Sequence, residues 1–140
     1  MLRLVTETGN LQAFVKPARR VLVVEDETLL AVQIEGCLTD EGYNVTDVVY
    51  TAEDAIAVGL ADKPDLIIMD VRLAGEGDGI AAACGILART GIRSVFATAC
   101  ADEQTRARGS IACPVAWLEK PFGVESILQA VRLAFQDRGE

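Results

Sequence analysis

The run Pro64-Asp65-Leu66-Ile67-Ile68-Met69-Asp70 decides the fold. Its centre is wholly apolar and rich in Ile, with no polar position between the apolar ones, and a carboxylate closes it. A strand wet on one face alternates; a strand covered on both faces has no reason to, so Asp65 to Met69 reads as a buried strand of a parallel sheet. Asp70 then stands at the carboxyl end of that strand, where open α/β sheets place their ligand sites. Taken alone, Asp70 reads better as the first residue of the polar loop Val71 to Gly79. Its weight comes from residues elsewhere in the chain.

Working outward, the same unit recurs. Arg20 to Val24 is a second apolar strand, and it ends in the acidic cluster Glu25-Asp26-Glu27. Thr28 to Asp40 carries a helical stripe of Leu29, Leu30, Ile34, Cys37 and Leu38, closed by Glu41-Gly42. Asn44 to Tyr50 is a strand of Val and Tyr. Thr51 caps the helix Ala52 to Leu60, with Asp54 in its first turn, and Lys63-Pro64 stops it. Beyond Asp70, Gly75, Gly77 and Gly79 suit tight turns, and Asp78 caps a helix from Gly79 to Arg89. Arg93 to Ala97 is the fourth strand and leads into Thr98. Asp102 to Arg108 is a short polar helix weakened by the Gly109, Ser110 and Pro114 that follow, so a short or distorted fourth helix is expected. Val115 to Leu118 is the fifth strand. Val124 to Arg138 is an amphipathic helix bearing Ile127, Leu128, Val131, Leu133 and Phe135. Five strands alternating with five helices predict a doubly wound α/β fold, one parallel sheet covered on both faces by right-handed crossovers. Met1 to Arg19 reads as an arm, with Leu11, Phe14 and Val15 at helical spacing, lying on the domain or on a second subunit.

Composition limits the classes. A chain of 140 residues, 51% of them hydrophobic, builds one domain with a real core. No apolar stretch approaches a membrane span and no secretory signal is legible, so the expectation is a cytoplasmic protein that does not enter a membrane. With 21 acidic against 13 basic residues the net charge is −8, which argues against nucleic-acid binding. There is no histidine. Ser-His-Asp and Cys-His catalysis are excluded, as is service as a phosphohistidine donor. Cys37, Cys84, Cys100 and Cys113 lack close spacing and read as reduced, mostly buried thiols rather than a disulfide framework or a zinc site.

The polar residues converge. The first strand delivers Glu25 and Asp26, the third Asp70 and the fourth Thr98, while the fifth ends in Glu119-Lys120-Pro121-Phe122. In a doubly wound sheet these ends lie side by side, so acids, hydroxyl and ammonium share a pocket. Carboxylates at close range repel unless a cation separates them. Oxygen ligands with no His or Cys nearby favour Mg²⁺. An aspartate beside such an ion is suited to attack a phosphoryl group.

Val23-Val24-Glu25-Asp26-Glu27, Ile68-Met69-Asp70-Val71-Arg72-Leu73, the Asp78-Gly79 step, Phe96-Ala97-Thr98-Ala99 and Glu119-Lys120-Pro121-Phe122 together resemble the receiver domain of two-component response regulators. The resemblance covers roughly Arg20 to Arg138, so residues 20–140 are expected to form the receiver domain and 1–19 the arm. It implies a flavodoxin-like receiver fold with strand order 2-1-3-4-5. It implies Asp70 as phosphoacceptor, with Mg²⁺ held by Asp26, Glu25, Asp70 and the backbone carbonyl of Arg72. Thr98 and Lys120 would hold phosphoryl oxygens, and the Lys120-Pro121 bond would be cis. Trp117 stands where receivers carry a switching aromatic; a fixed place in the core is the other reading of it. Cys100 and Arg72 occupy rim positions that tune dephosphorylation in this family.

The expected partners are a histidine kinase or phosphotransfer protein and an unknown downstream protein. Homodimerisation through the face of helix four, strand five and helix five, or through the arm, stays open. Because the chain stops after the fifth helix, no output domain is expected, and signalling would be by non-covalent contact or as a phosphoryl sink or relay. An enzyme is not expected. An aspartate-nucleophile phosphatase would carry a second Asp two residues after the nucleophile, where this chain has Arg72. A flavin module would need a glycine-bearing first turn where this chain has Glu25-Asp26-Glu27.

Overall fold

The structure is a computed structural model that describes residues 17–73, 75 and 77–136. The elements are β1 Arg20–Val24, α1 Thr28–Asp40, β2 Asn44–Val49, α2 Ala52–Asp62, β3 Leu66–Asp70, α3 Gly79–Thr90, β4 Ser94–Thr98, α4 Glu103–Gly109, β5 Ala116–Glu119 and α5 Val124–Gln136. A single 3₁₀ turn, Ser110–Ala112, follows α4. The strands form one parallel sheet in the order β2-β1-β3-β4-β5. The expected fold, with its strand order, is borne out. Residues 1–16 of the expected arm, with its helical turn, lie outside those described.

Strand periodicity builds two cores. Successive side chains leave a strand on opposite faces. Leu22, Val24, Ile67, Met69 and Phe96 therefore meet α2 and α3 through Ala52, Ala55, Ile80, Ala83 and Ile86. Val21, Val23, Ile68, Val95 and Leu118 meet α1 and α5 through Ile34, Leu38, Ile127, Val131 and Phe135. Every residue of β3 and β4 is buried, as a run without alternation requires.

Boundaries move for local reasons. β3 starts at Leu66 because the carboxylate of Asp65 turns aside to accept the amide of Arg20 at 2.8 Å. α2 runs on to Asp62 and closes on Lys63 at φ 47°, directly before Pro64. Thr51 and Asp78 cap α2 and α3 through the amides of Asp54 and Ile80. The weak sequence after β4 gives the short helix expected there, seven residues followed by the 3₁₀ turn.

Two stripe assignments are corrected. Leu29 is 85% exposed, because the buried face of α1 follows Ala31, Ile34 and Leu38, and a residue outside that spacing is rotated about 100° per step away from it. Leu133 is likewise exposed, since the buried positions of α5 flank it at Val131, Ala134 and Phe135. The cysteines are all free, but only Cys37 and Cys84 are even half-buried, while Cys100 and Cys113 sit exposed around the short α4.

Candidate functional site

The alternation that sorts the core also sorts the site. Glu25 continues the side-chain parity of Val21 and Val23, Asp70 that of Leu66 and Ile68, and Lys120 that of Leu118, so all three leave the sheet toward α1 and α5. Thr98 continues the parity of Phe96 and leaves on the other side. Backbone bonds carry the alignment past the strands: Glu25 donates to Val49, Val71 to Ala97 and Lys120 to Thr98, at 2.8 to 3.0 Å.

Glu25 is 1% and Asp70 3% exposed. Carboxylate oxygens of Glu25, Asp26 and Asp70 lie within 4.8 Å of one another. The ammonium of Lys120 stands 3.2 Å from Oδ2 of Asp70 and 3.2 Å from Oε1 of Glu25. Exposed Glu27 lies at the edge of its reach, 4.0 Å away. Oδ1 of Asp70 accepts the amide of Arg72 at 3.2 Å, and Oε2 of Glu25 accepts the amide of Glu27 at 3.1 Å. Lys120 donates to Oε2 of Glu25, so Oε1 is buried beside the ammonium with no hydrogen bond. A buried oxygen without a hydrogen bond, next to two further carboxylates, fits an oxygen-seeking divalent cation.

Electrostatics follow from this crowding. Burial, then the nearby charge of Glu25, pushes Asp70 up to about 7, and Lys120 offsets only part of that. For Lys120, burial works to lower the pKa, but the carboxylates of Asp70 and Glu25 outweigh it and hold the ammonium above its ordinary range.

One cleft at this end of the sheet is lined by Asp26, Asp70, Arg72, Thr98 and Lys120, with Glu25 beneath it. The hydroxyl of Thr98 accepts the amide of Cys100 at 3.1 Å and donates to its carbonyl at 3.2 Å. The Lys120-Pro121 bond is cis. Trp117 is not brought into the cleft. By parity it faces Phe96, ring centroids 5.0 Å apart, and lies against Gly109 of α4.

Gly79, read from the sequence as a turn residue and helix start within the Asp78-Gly79 step, also shapes the site. A Cβ there would fall 1.9 Å from the carbonyl oxygen of Asp70, so only glycine lets α3 begin this close to the acceptor strand. Arg108 was not singled out either: a basic residue in a short polar helix carries no local signal. It forms an ion pair with Asp78 and lines the same cleft.

Comparison with known proteins agrees with this geometry. The family model described as the response regulator receiver domain matches residues 21–132. The transcriptional regulatory protein PdtaR of Mycobacterium tuberculosis is 34% identical over 116 residues, covering 83% of this chain and 56% of that protein. The response regulator GacA of Pseudomonas aeruginosa is 32% identical over 118 residues, covering 83% of this chain and 55% of that protein. The chain thus spans little more than half the length of these curated relatives. Among solved structures, the signal receiver domain of a modulated diguanylate cyclase from Desulfovibrio desulfuricans G20 superposes with a TM-score of 0.79 at 27% identity, covering 87% of this chain and 97% of that one.

Proposed function

This chain belongs to the response regulator receiver domain family, and we propose that it accepts a phosphoryl group on Asp70 from a histidine kinase or phosphotransfer protein. The observation that carries the reading is the meeting of three acids, Glu25 and Asp26 just past β1 and Asp70 at the end of β3, with the ammonium of Lys120 at one end of the sheet. A carboxylate oxygen of Asp70 forms the new bond to phosphorus. The bond from phosphorus to the donor atom breaks, a ring nitrogen in a phosphohistidine or an acyl oxygen in a small acyl phosphate, and the departing atom keeps the electron pair.

Asp26, Glu25 and Asp70 would hold Mg²⁺, with the Arg72 carbonyl as a further ligand. The ion's chemistry there is to neutralise the carboxylates and the oxygens of the phosphoryl group. The chain's own residues prepare the rest. The amide of Arg72 fixes Oδ1 of Asp70. Lys120 faces Oδ2 and supplies positive charge where phosphoryl oxygens would lie. Thr98 flanks Asp70 from the other face of the sheet and exchanges its bonds with Cys100 for one to the phosphoryl group.

The chain acts as an acceptor and switch, not as an enzyme turning over outside substrates. In support, Arg72 offers Asp70 a backbone amide where a phosphatase of aspartate-nucleophile type would offer a second carboxylate. Phosphorylation biases the face of α4, β5 and α5 toward a downstream protein or a second copy. The test is incubation with Mg²⁺ and acetyl phosphate followed by intact mass. A gain of one phosphoryl group, abolished in Asp70→Asn, is expected. No gain in the wild-type chain sinks the reading.

A further inference from the structure

The short helix α4 buries only Gly109, so apolar packing does little to hold it. Its attachments are mostly those of two arginines. Arg106 donates to the carbonyl of Ala101 at 3.0 Å and stacks its guanidinium 5.3 Å from the ring centroid of Trp117. Arg108, the next-to-last residue of the helix, reaches across the cleft to an ion pair with Oδ2 of Asp78, whose Oδ1 caps α3.

Asp78 adjoins the acceptor strand. It bridges to Arg72, the residue whose amide holds Asp70, and its neighbour Gly79 donates to the carbonyl of Val71 at 2.9 Å. Arg108, Asp78 and Asp70 line the same cleft. The ion pair is about half exposed on both sides, and pairs of that kind hold weakly. A phosphoryl group on Asp70 would place a second, more highly charged oxyanion in the cleft that the same arginine lines, and guanidinium binds phosphate in a two-pronged geometry.

We propose that Arg108 is a positioning residue that changes anions, bound to Asp78 in the resting chain and to the phosphoryl group once Asp70 carries one, so that α4 moves with the exchange. This rests on the acceptor reading of Asp70 and adds its route to α4. The exchange makes and breaks only ion pairs.

Trp117 is the single tryptophan, and it touches Gly109 and Arg106 of α4, so its emission reports where that helix sits. The experiment compares the wild-type chain with Arg108→Gln, Arg108→Lys and Asp78→Asn, the last keeping a side chain able to cap α3. Each is followed by intact mass and Trp117 emission with Mg²⁺, before and after acetyl phosphate. Before the donor, Arg108→Gln and Asp78→Asn should share a displaced emission relative to wild type. After it, Asp78→Asn should converge on phosphorylated wild type. Arg108→Gln should gain the phosphoryl mass but lose the emission change that accompanies it, and Arg108→Lys should keep part of that change. A full emission change in phosphorylated Arg108→Gln overturns the exchange while leaving the acceptor reading intact. Identical emission of all four chains before the donor overturns the resting ion pair. Absence of any mass gain overturns the acceptor reading, and the exchange falls with it.

Discussion

The ammonium of Lys120 stands 3.2 Å from Oδ2 of Asp70, although fifty residues separate them in sequence. The same ammonium stands 3.2 Å from Glu25, so one cation just past β5 serves acids at the ends of two other strands. Removing it leaves two almost wholly buried carboxylates together. Lys120→Met should therefore cost about 3 kcal/mol of stability in a urea titration at pH 8. Added Mg²⁺ should restore part of it. A loss under about 1 kcal/mol would place the pair with ordinary surface ion pairs instead.

Stability should fall as pH rises from about 4 to about 7. Asp70 keeps its proton to about 7 in the folded chain, against an ordinary 3.8. Across that window the folded state binds more protons than the unfolded one, so each step upward in pH favours unfolding, by at most about 1.4 kcal/mol per unit from this group. Urea midpoints at pH 5 and pH 8 read the effect, and Asp70→Asn should remove most of it. Mg²⁺ should raise the midpoint more at pH 8 than at pH 5, where a proton already neutralises Asp70. Equal effects at both pH values would contradict the assignment of the group.

Gly79→Ala should disturb the acceptor through its backbone. Its Cβ would meet the carbonyl oxygen of Asp70 at 1.9 Å, and both neighbours are main chain, so α3 or β3 must shift. Overpacking of this kind costs about 1 to 3 kcal/mol. The phosphoryl gain with acetyl phosphate should slow markedly, because the carboxylate moves with its strand. An unaltered phosphorylation rate would show that the contact relaxes elsewhere.

On α1, Leu29→Glu and Ile34→Ala should behave oppositely. Leu29 is exposed, so a charge there should change stability by less than about 0.5 kcal/mol. Ile34 is fully buried in the core beneath α1 and α5, and truncating it should cost about 2 to 5 kcal/mol. Thermal melts of the two variants check the rotation of the helix directly. A large loss in Leu29→Glu would restore the stripe that includes it.

Much of the site was legible because strands announce themselves locally. Apolar runs ending in Glu25-Asp26, Asp70, Thr98 and Lys120 identify four strand exits, and a parallel sheet puts exits on one edge. Leu29 and Leu133 were misplaced because a helical stripe read from apolarity alone is wider than the face that packing covers. Arg108 left no trace in the sequence, since an arginine in a polar helix is ordinary until its partner is known. Gly79 could be read as a helix start but not as a contact, because the atom it makes room for belongs to Asp70's backbone.

The sequence by itself determined which segments are buried strands, where each ends and that the ends carry acids, a hydroxyl and a lysine, because burial and its period are written into successive residues. Only the tertiary structure decided that Glu25, Asp70 and Lys120 leave one face of the sheet while Thr98 and Trp117 leave the other, that Trp117 rests against Gly109, and that Arg108 holds Asp78. The period of two sorts side chains within each strand, but which alternates of different strands share a face and which helix lies over them depend on register and helix placement, set by packing between residues far apart in the chain.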